Sequence, residues 1–306
     1  MNVIGRRKLW FAISLVVIIP GLISLLLWGL KPGIDFAGGQ VMEIAGTSDQ
    51  AFVRETLTQV GARDIVITTT GEGRLLARYR DSEGKDSTKT SGEIKTLLEV
   101  KGAVPTSFES IGPAVSRDIT RNAFVSVGLA SLVIVFFIAY AFRNTPPPVS
   151  PLSFGITAVI ALLHDTLVVV GIFSLLGHFA NVEIDSLFVT AVLTAIGFSV
   201  HDTIVVYDRI RENLKRSTGT FEVIVNDSIV ETMARSLATS LTVIFTLLAL
   251  LIFGGETIRL FVFALLIGIF SGTYSSIFNA APMLVTWHNW KLKRRARRTT
   301  VKKIKK

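Results

Sequence analysis

Six stretches of this chain are long, apolar and nearly free of charge, and they restrict it to very few folds. They cover residues 9–30, 123–142, 152–176, 187–207, 237–253 and 260–287. A helix rises 1.5 Å per residue, so about 20 residues cross a hydrocarbon core of about 30 Å. Each stretch is long enough to span a bilayer once tilt is allowed. Half of the residues are hydrophobic and only 18% are charged, against about 25% charged in soluble domains, so lipid must serve as part of the solvent. A cleavable signal peptide is the rival reading of residues 9–30. That run exceeds the usual length of about 7–15 apolar residues, and no small-x-small site follows it, so a retained helix is expected.

Six crossings put both ends on one side, and lysine and arginine near the helix ends choose the side. Arg6, Arg7 and Lys8 precede the first span, and Arg209, Arg211, Lys215 and Arg216 follow the fourth. Residues 291–306 carry ten basic side chains and no acidic one. All three groups fall on the same side, which is read as cytoplasmic. The tail alone more than accounts for the net charge of +9, so topology and attraction to anionic lipid explain it, and no nucleic-acid partner is expected. Cysteine is absent, which rules out a disulfide framework and thiolate metal ligands.

Between the first two spans, residues 31–121 hold thirteen acidic and twelve basic side chains, the composition of a water-exposed domain. Its pattern predicts strands at 40–44, 64–70, 74–80 and 103–109 and helices at 49–59 and 90–100. The order βαββαβ is that of a ferredoxin-like α+β domain, with two helices on one face of an antiparallel sheet and the other face open. Gly71 and Gly73 suit a tight turn, and residues 81–89 read as a polar loop. No catalytic constellation stands out, so an enzyme is not expected. The organisation is therefore 1–30, 31–121, 122–287 and a basic tail, 288–306. Residues 146–148 are a stiff triproline turn, and 221–233 read as a helix on the inner membrane surface.

An ionised group at mid-membrane costs about 2.5–3.5 kcal/mol on insertion scales, so one retained there is a functional candidate. Asp165 and Asp202 qualify, each directly after a histidine, His164 and His201. Thr190, Thr194, Phe198 and Asp202 follow at i+4 steps, which suggests a partly polar face turned into the bundle. Arg235, at the mouth of the fifth helix, is the natural counter-ion. An aspartate alternating between a desolvated neutral state and an arginine-paired charged state can load and release a proton. The histidines, with an unperturbed pKa near 6.5, suit the same pathway or serve as packing residues. A static buried pair that fixes helix register is the other reading. Nothing in the spacing demands a metal or cofactor. Gly268, Ser271, Gly272, Ser275 and Ser276 read as small residues that let helices pack closely.

Several runs also carry a family resemblance. They are Gly33-Ile-Asp-Phe-Ala-Gly-Gly39, His164-Asp165, the segment 196–213 ending in Asp208-Arg-Ile-Arg-Glu-Asn213, Arg235-Ser-Leu-Ala-Thr-Ser240 and Gly272-Thr-Tyr-Ser-Ser-Ile-Phe278. Together they resemble the SecD/SecF family of bacterial protein-export membrane proteins, half-sized relatives of the RND transporters. Its signature positions here are Gly33, Asp35, Gly38, Gly39, Asp208, Arg209, Arg211 and Glu212. The resemblance implies a SecD partner whose six helices match these by a pseudo-two-fold axis. It also implies contact with the SecYEG translocon, an unfolded preprotein substrate, and YidC or YajC as further partners. The location would be the cell (inner) membrane, with residues 31–121 on the extracytoplasmic, periplasmic side. Proton flow would move the outer domains and pull the emerging chain. Asp202 would be the proton carrier, Arg235 its switchable partner and Asp165 a supporting polar site, with H⁺ as coupling ion and Na⁺ as the alternative. His201 stands where many relatives have asparagine. An RND-type exporter of small molecules or lipids, or a non-transporting assembly factor, are the competing readings.

Overall fold

The computed structural model describes residues 1–70, 73–80, 87–100 and 102–304. Two compact units make up the chain. One comprises Met1–Leu30, Ser126–Val182 and Phe188–Lys306, the other Lys31–Val125 and Glu183–Leu187.

The smaller unit is built on four antiparallel strands, β1 (Gly39–Ala45), β2 (Arg63–Thr69), β3 (Leu75–Arg80) and β4 (Val104–Ile111), in the spatial order β2-β3-β1-β4. β1 lies in the centre, with Met42 opposite Ala77 on one side and Phe108 on the other. Gln40, Met42 and Ile44 of β1 and Leu75, Ala77 and Tyr79 of β3 are buried at every second position, the period of a sheet with one covered face. Helices α3 (Gln50–Gln59) and α4 (Ser87–Glu99) contribute Val53, Leu57, Ile94 and Leu98 to the same core. Asp49 caps α3 by accepting a hydrogen bond from the Phe52 N–H at 3.0 Å, which fixes where that helix begins. A short helix, α2 (Ile34–Ala37), precedes β1 and was not expected from the sequence. Between them Gly38 and Gly39 adopt φ of +70° and +139°, and a Cβ at Gly39 would stand 2.9 Å from the Tyr79 carbonyl oxygen. Only glycine fits this entry into the sheet.

Several sequence-based bounds shift. α4 begins at Ser87, so the end of the expected 81–89 loop is helical, while 81–86 lie outside the described residues, as does Gly71. Gly73 has φ of +75° and its N–H donates to the Thr70 carbonyl, closing the turn into β3.

The larger unit holds most of the length of the long helices, two of which, starting at Pro113 and Ser186, begin in the smaller one. A 3-10 turn (Ile4–Arg6) leads into α1 (Arg7–Leu27), followed by α5 (Pro113–Ala141), α6 (Pro151–Phe179), α7 (Ser186–Arg216) and α8 (Phe221–Phe253). α9 (Glu256–Ser275) continues through a π-helical turn (Ser276–Ala280) into α10 (Ala281–Ile304). Among the described residues six helices are long and apolar enough to cross a membrane, the sixth running Glu256–Arg294. The helices outrun the apolar stretches because polar side chains do not end a helix. α5 starts at Pro113, whose fixed φ suits the first helical position, ten residues before the apolar run. The separate surface helix expected at 221–233 does not exist. Residues 221–253 contain neither glycine nor proline, and Ile224, Val225, Ser228, Ile229 and Thr232 continue one buried stripe into the apolar run.

Leu57 is fully buried beneath the sheet, so Leu57→Ala should destabilise this unit by about 2–5 kcal/mol. Thermal unfolding in detergent would show this as a lower first transition.

Candidate functional site

The two intramembrane carboxylates lie inside the helical unit, with Asp165 only 3% exposed and Asp202 2%. Their surroundings differ. The Asp165 Oδ2 accepts from Ser199 Oγ of α7 at 2.5 Å and Ser275 Oγ of α9 at 2.7 Å. Its Oδ1 accepts from Ser271 Oγ of α9 at 2.7 Å and lies 2.9 Å from His164 Nδ1. Four donors meet a group with roughly four lone-pair sites, which is close to saturation. The imidazole is pinned by that contact, while its Nε2 is buried and finds no hydrogen-bond partner among the described residues.

Asp202 Oδ2 accepts from Ser240 Oγ of α8 at 3.2 Å, and the Thr273 side chain of α9 is a second hydrogen-bonding neighbour. Thr273 Oγ1 of α9 stands 2.7 Å behind that serine. Next to Asp202, Thr203 Oγ1 is 2.8 Å from Ser276 Oγ at the start of the π turn, and Ser276 donates to the Ser199 carbonyl at 3.1 Å. Consecutive serines where α9 meets the π turn thus face different groups on two helices, Ser275 binding Asp165 of α6 and Ser276 binding Thr203 and the Ser199 carbonyl of α7.

Close helix packing makes these bonds possible. A Cβ at Gly268 would lie 2.4 Å from the Ala195 Cβ, and one at Gly272 would lie 2.7 Å from the Ser199 Cβ. Serine hydroxyls are short, so they reach a carboxylate on a neighbouring helix only at this separation. From sequence, Ser271 and Ser275 have only a packing role, and Ser199, Ser240 and Thr273 stand within the family runs without a task of their own. Their i+4 spacing, 271 to 275, is the signal that places two hydroxyls on one face of α9.

Arg235 does not meet Asp202. It lies 14 residues into α8, about 21 Å along the helix at 1.5 Å per residue, rather than at its mouth. Its side chain is exposed and makes no ion pair among the described residues. His201 is exposed too, although Asp202 beside it is buried. The inward stripe expected from Thr190, Thr194, Phe198 and Asp202 is also corrected, because Thr190 and Thr194 are exposed. Each i+4 step overshoots a 3.6-residue turn by roughly 40°, so three steps turn Thr190 about 120° away from Asp202. The buried face of α7 instead carries Ser199, Asp202, Thr203 and Val206.

The run from Asp208 to Asn213 forms a latch at the far end of α7. Asp208 pairs with Arg211 at 2.6 Å, and Arg209 bridges Glu212 at 2.7 Å and Glu231 of α8 at 2.5 Å. Asn213 Nδ2 donates to Ser228 Oγ and to Glu231 Oε2, both at 3.0 Å. Arg211 also donates to the carbonyl of Ala141, the last residue of α5, where a cation complements the helix dipole. Among the described residues no cluster of three or more His, Cys, Asp or Glu side chains has a metal-binding arrangement.

Residues 94–290 match the family described as protein export membrane protein SecD/SecF, C-terminal. The chain belongs to the SecD/SecF family. It is similar to the protein translocase subunit SecF of Thermobaculum terrenum, with 47% identity over 98% of each chain. It is also similar to the protein translocase subunit SecDF of Bacillus subtilis, at 33% identity over 95% of this chain and 38% of that protein. Its fold matches the crystal structure of SecDF, a translocon-associated membrane protein, from Thermus thermophilus, with a TM-score of 0.81 and 31% identity. That match covers 94% of this chain and 39% of the SecDF chain, so this chain spans about two fifths of SecDF. As in other members of the family, the helices mark a multi-pass membrane protein.

A branched side chain at Gly272 has no room against Ser199. Gly272→Leu should part α7 from α9, costing about 1–3 kcal/mol through overpacking, and lower the melting temperature of the detergent-solubilised protein more than Gly128→Leu. Gly128 has open space where a Cβ would go.

Proposed function

We propose that this chain is the SecF-type half of a SecD/SecF unit of the protein translocase, using the proton motive force to advance a preprotein on the outer side of the membrane. Family membership and full-length similarity to SecF support the translocase role over the exporter and assembly-factor readings. The observation that carries the mechanism is the contrast between the carboxylates. Asp165 already holds four donors, so a proton arriving there would displace one of them. Asp202 is as deeply buried but has fewer hydrogen-bonding neighbours, Ser240 and Thr273, which leaves it acceptor capacity for a proton. Asp202 is therefore the carrier, and Asp165 with His164 is the fixed polar centre that locates α7 against α6 and α9.

The exposed faces of α7 and α8 support a SecD partner. His201 and Arg235 lie on exposed faces of the larger unit, and a guanidinium left against lipid is costly. A second six-helix half covering these faces would remove that cost and offer Arg235 a carboxylate from SecD or, after a shift of α8, Asp202. B. subtilis SecDF and T. thermophilus SecDF are longer chains that this one matches in part, which agrees with a paired half. SecYEG, the unfolded preprotein, and YidC or YajC are the further partners of this reading. The element order and the strand order β2-β3-β1-β4 support a ferredoxin-like outer domain. The basic ends support cytoplasmic termini, with the sheet unit extracytoplasmic. Moving one proton through 100 mV releases about 2.3 kcal/mol, enough to bias a domain movement of modest cost. The coupling ion is read as H⁺, with Na⁺ the alternative that ion substitution would reveal.

Asp202→Asn should leave co-purification with SecD unchanged and abolish the stimulation of secretion by a proton gradient in proteoliposomes. Undiminished stimulation would overturn the carrier assignment.

A further inference from the structure

Asp35 is the family-signature residue that the proton path leaves without a task. Its Oδ2 accepts hydrogen bonds from the Ser186 N–H at 2.8 Å and from the Ser186 hydroxyl. Ser186 is the first residue of α7, so this carboxylate sits at the positive end of the helix that carries Ser199 and Asp202. Two residues back, the Gly33 N–H donates to the Ile184 carbonyl at 2.8 Å, and the Ile184 N–H donates to the Lys31 carbonyl at 2.9 Å. Pro32 and Ile184 thereby form a parallel bridge. A Cβ at Gly33 would lie 2.9 Å from the Ile184 oxygen, so a side chain there would push the two strands of chain apart.

Glu183 adds a third attachment. Its carboxylate lies 2.8 Å from Arg78 Nη1 and 3.6 Å from Lys31 Nζ, and its side chain is only 12% exposed. Arg78 belongs to β3, so the connection between α6 and α7 is bonded to the sheet as well as to the segment before β1. All of these residues, including Glu183–Leu187, lie in the smaller compact unit. The chain leaves that unit for the helical one between Leu187 and Phe188, one residue after the Asp35 cap. From Ala180 to Asp185 the backbone has no helix, and its one regular pairing is the bridge at Ile184. An unclasped connection of this kind would take up a displacement of α7 by changing its own dihedral angles.

We propose that the clasp of Lys31–Asp35 on Glu183–Ser186 is the mechanical joint that passes displacement of α7 to the sheet unit, with Asp35 and Glu183 as its positioning residues. The joint takes its input from the proton-driven reading above. It stays closed throughout the cycle, so a covalent bond in its place does the same work.

The absence of cysteine from the chain allows a clean test of Asp35→Cys/Ser186→Cys, in which the two new thiols are the chain's only ones and thiol labelling reads whether the disulfide has formed. In proteoliposomes with SecD and the translocon, Asp35→Cys alone should lose most of the gradient-stimulated secretion. The oxidised double variant should regain it, and reduction should remove it again. Full stimulation with Asp35→Cys, or no recovery once labelling shows the disulfide formed, would overturn the joint. If Asp35→Cys does not accumulate in the membrane, Glu183→Gln carries the test, because it keeps the side-chain shape and removes the charge between Lys31 and Arg78. Partial loss of stimulation is expected for it, and full stimulation would overturn the joint. Secretion by the unsubstituted chain that ignores the gradient would instead overturn the proton-driven reading.

Discussion

A carboxylate withdrawn from water inside a helix bundle must be met by donors, and the arrangement around Asp165 sets the spacing of the helical unit. Three serine hydroxyls, one from α7 and two from α9, reach it across helix boundaries. A hydroxyl reaches only a short distance beyond its backbone, so the helices must nearly touch, and Gly268 and Gly272 permit this against Ala195 and Ser199. With Ser199 fixed, Asp202 follows three residues later, on the same buried face of α7. Its depth and its contact with Ser240 of α8 are consequences of how Asp165 is satisfied.

The α7 helix is held at both ends while its middle carries the titrating candidate. Asp35 and the Ile184 bridge hold its beginning. At the other end, Arg209 and Asn213 tie it to Glu231 and Ser228 of α8, and Arg211 ties it to the end of α5. These charged pairs are partly exposed, where a single ion pair contributes roughly 0–1 kcal/mol. A network that shares Glu212 and Glu231 among several donors holds direction more than it adds stability. The Asp208–Asn213 run is thus accounted for by the geometry of the helix ends.

The spans, the soluble segment and the two aspartates were legible in the sequence because burial in lipid and charge are written residue by residue. The order of strands and helices in the smaller unit was legible through its period-2 and i+4 patterns, with the ends of elements displaced by a few residues. What stayed hidden depends on contacts between distant segments. Ser271 and Ser275 look like packing residues until Asp165 is brought beside them, and Glu183 looks like loop polarity until Arg78 and Lys31 flank it. The Thr190–Asp202 stripe failed for a geometric reason, since i+4 steps drift around a helix. The partner of Arg235 was not legible because it is not fixed within this chain in the conformation described.

The π-helical turn at Ser276–Ala280 gives the sixth span two independent orientations. One residue added to a turn rotates everything beyond it by roughly 100° relative to an uninterrupted α-helix. Before the turn, Ser271 and Ser275 point to Asp165. Within it, Asn279 donates to Ser14 of α1 at 2.8 Å. An insertion of this kind works as a phase shifter, turning the part of the span beyond it so that Asn279 faces Ser14 of α1. The contacts to α1 are thereby carried across the turn, from the Tyr274 hydroxyl on the Trp10 carbonyl to Asn279 on Ser14, along one continuous rod.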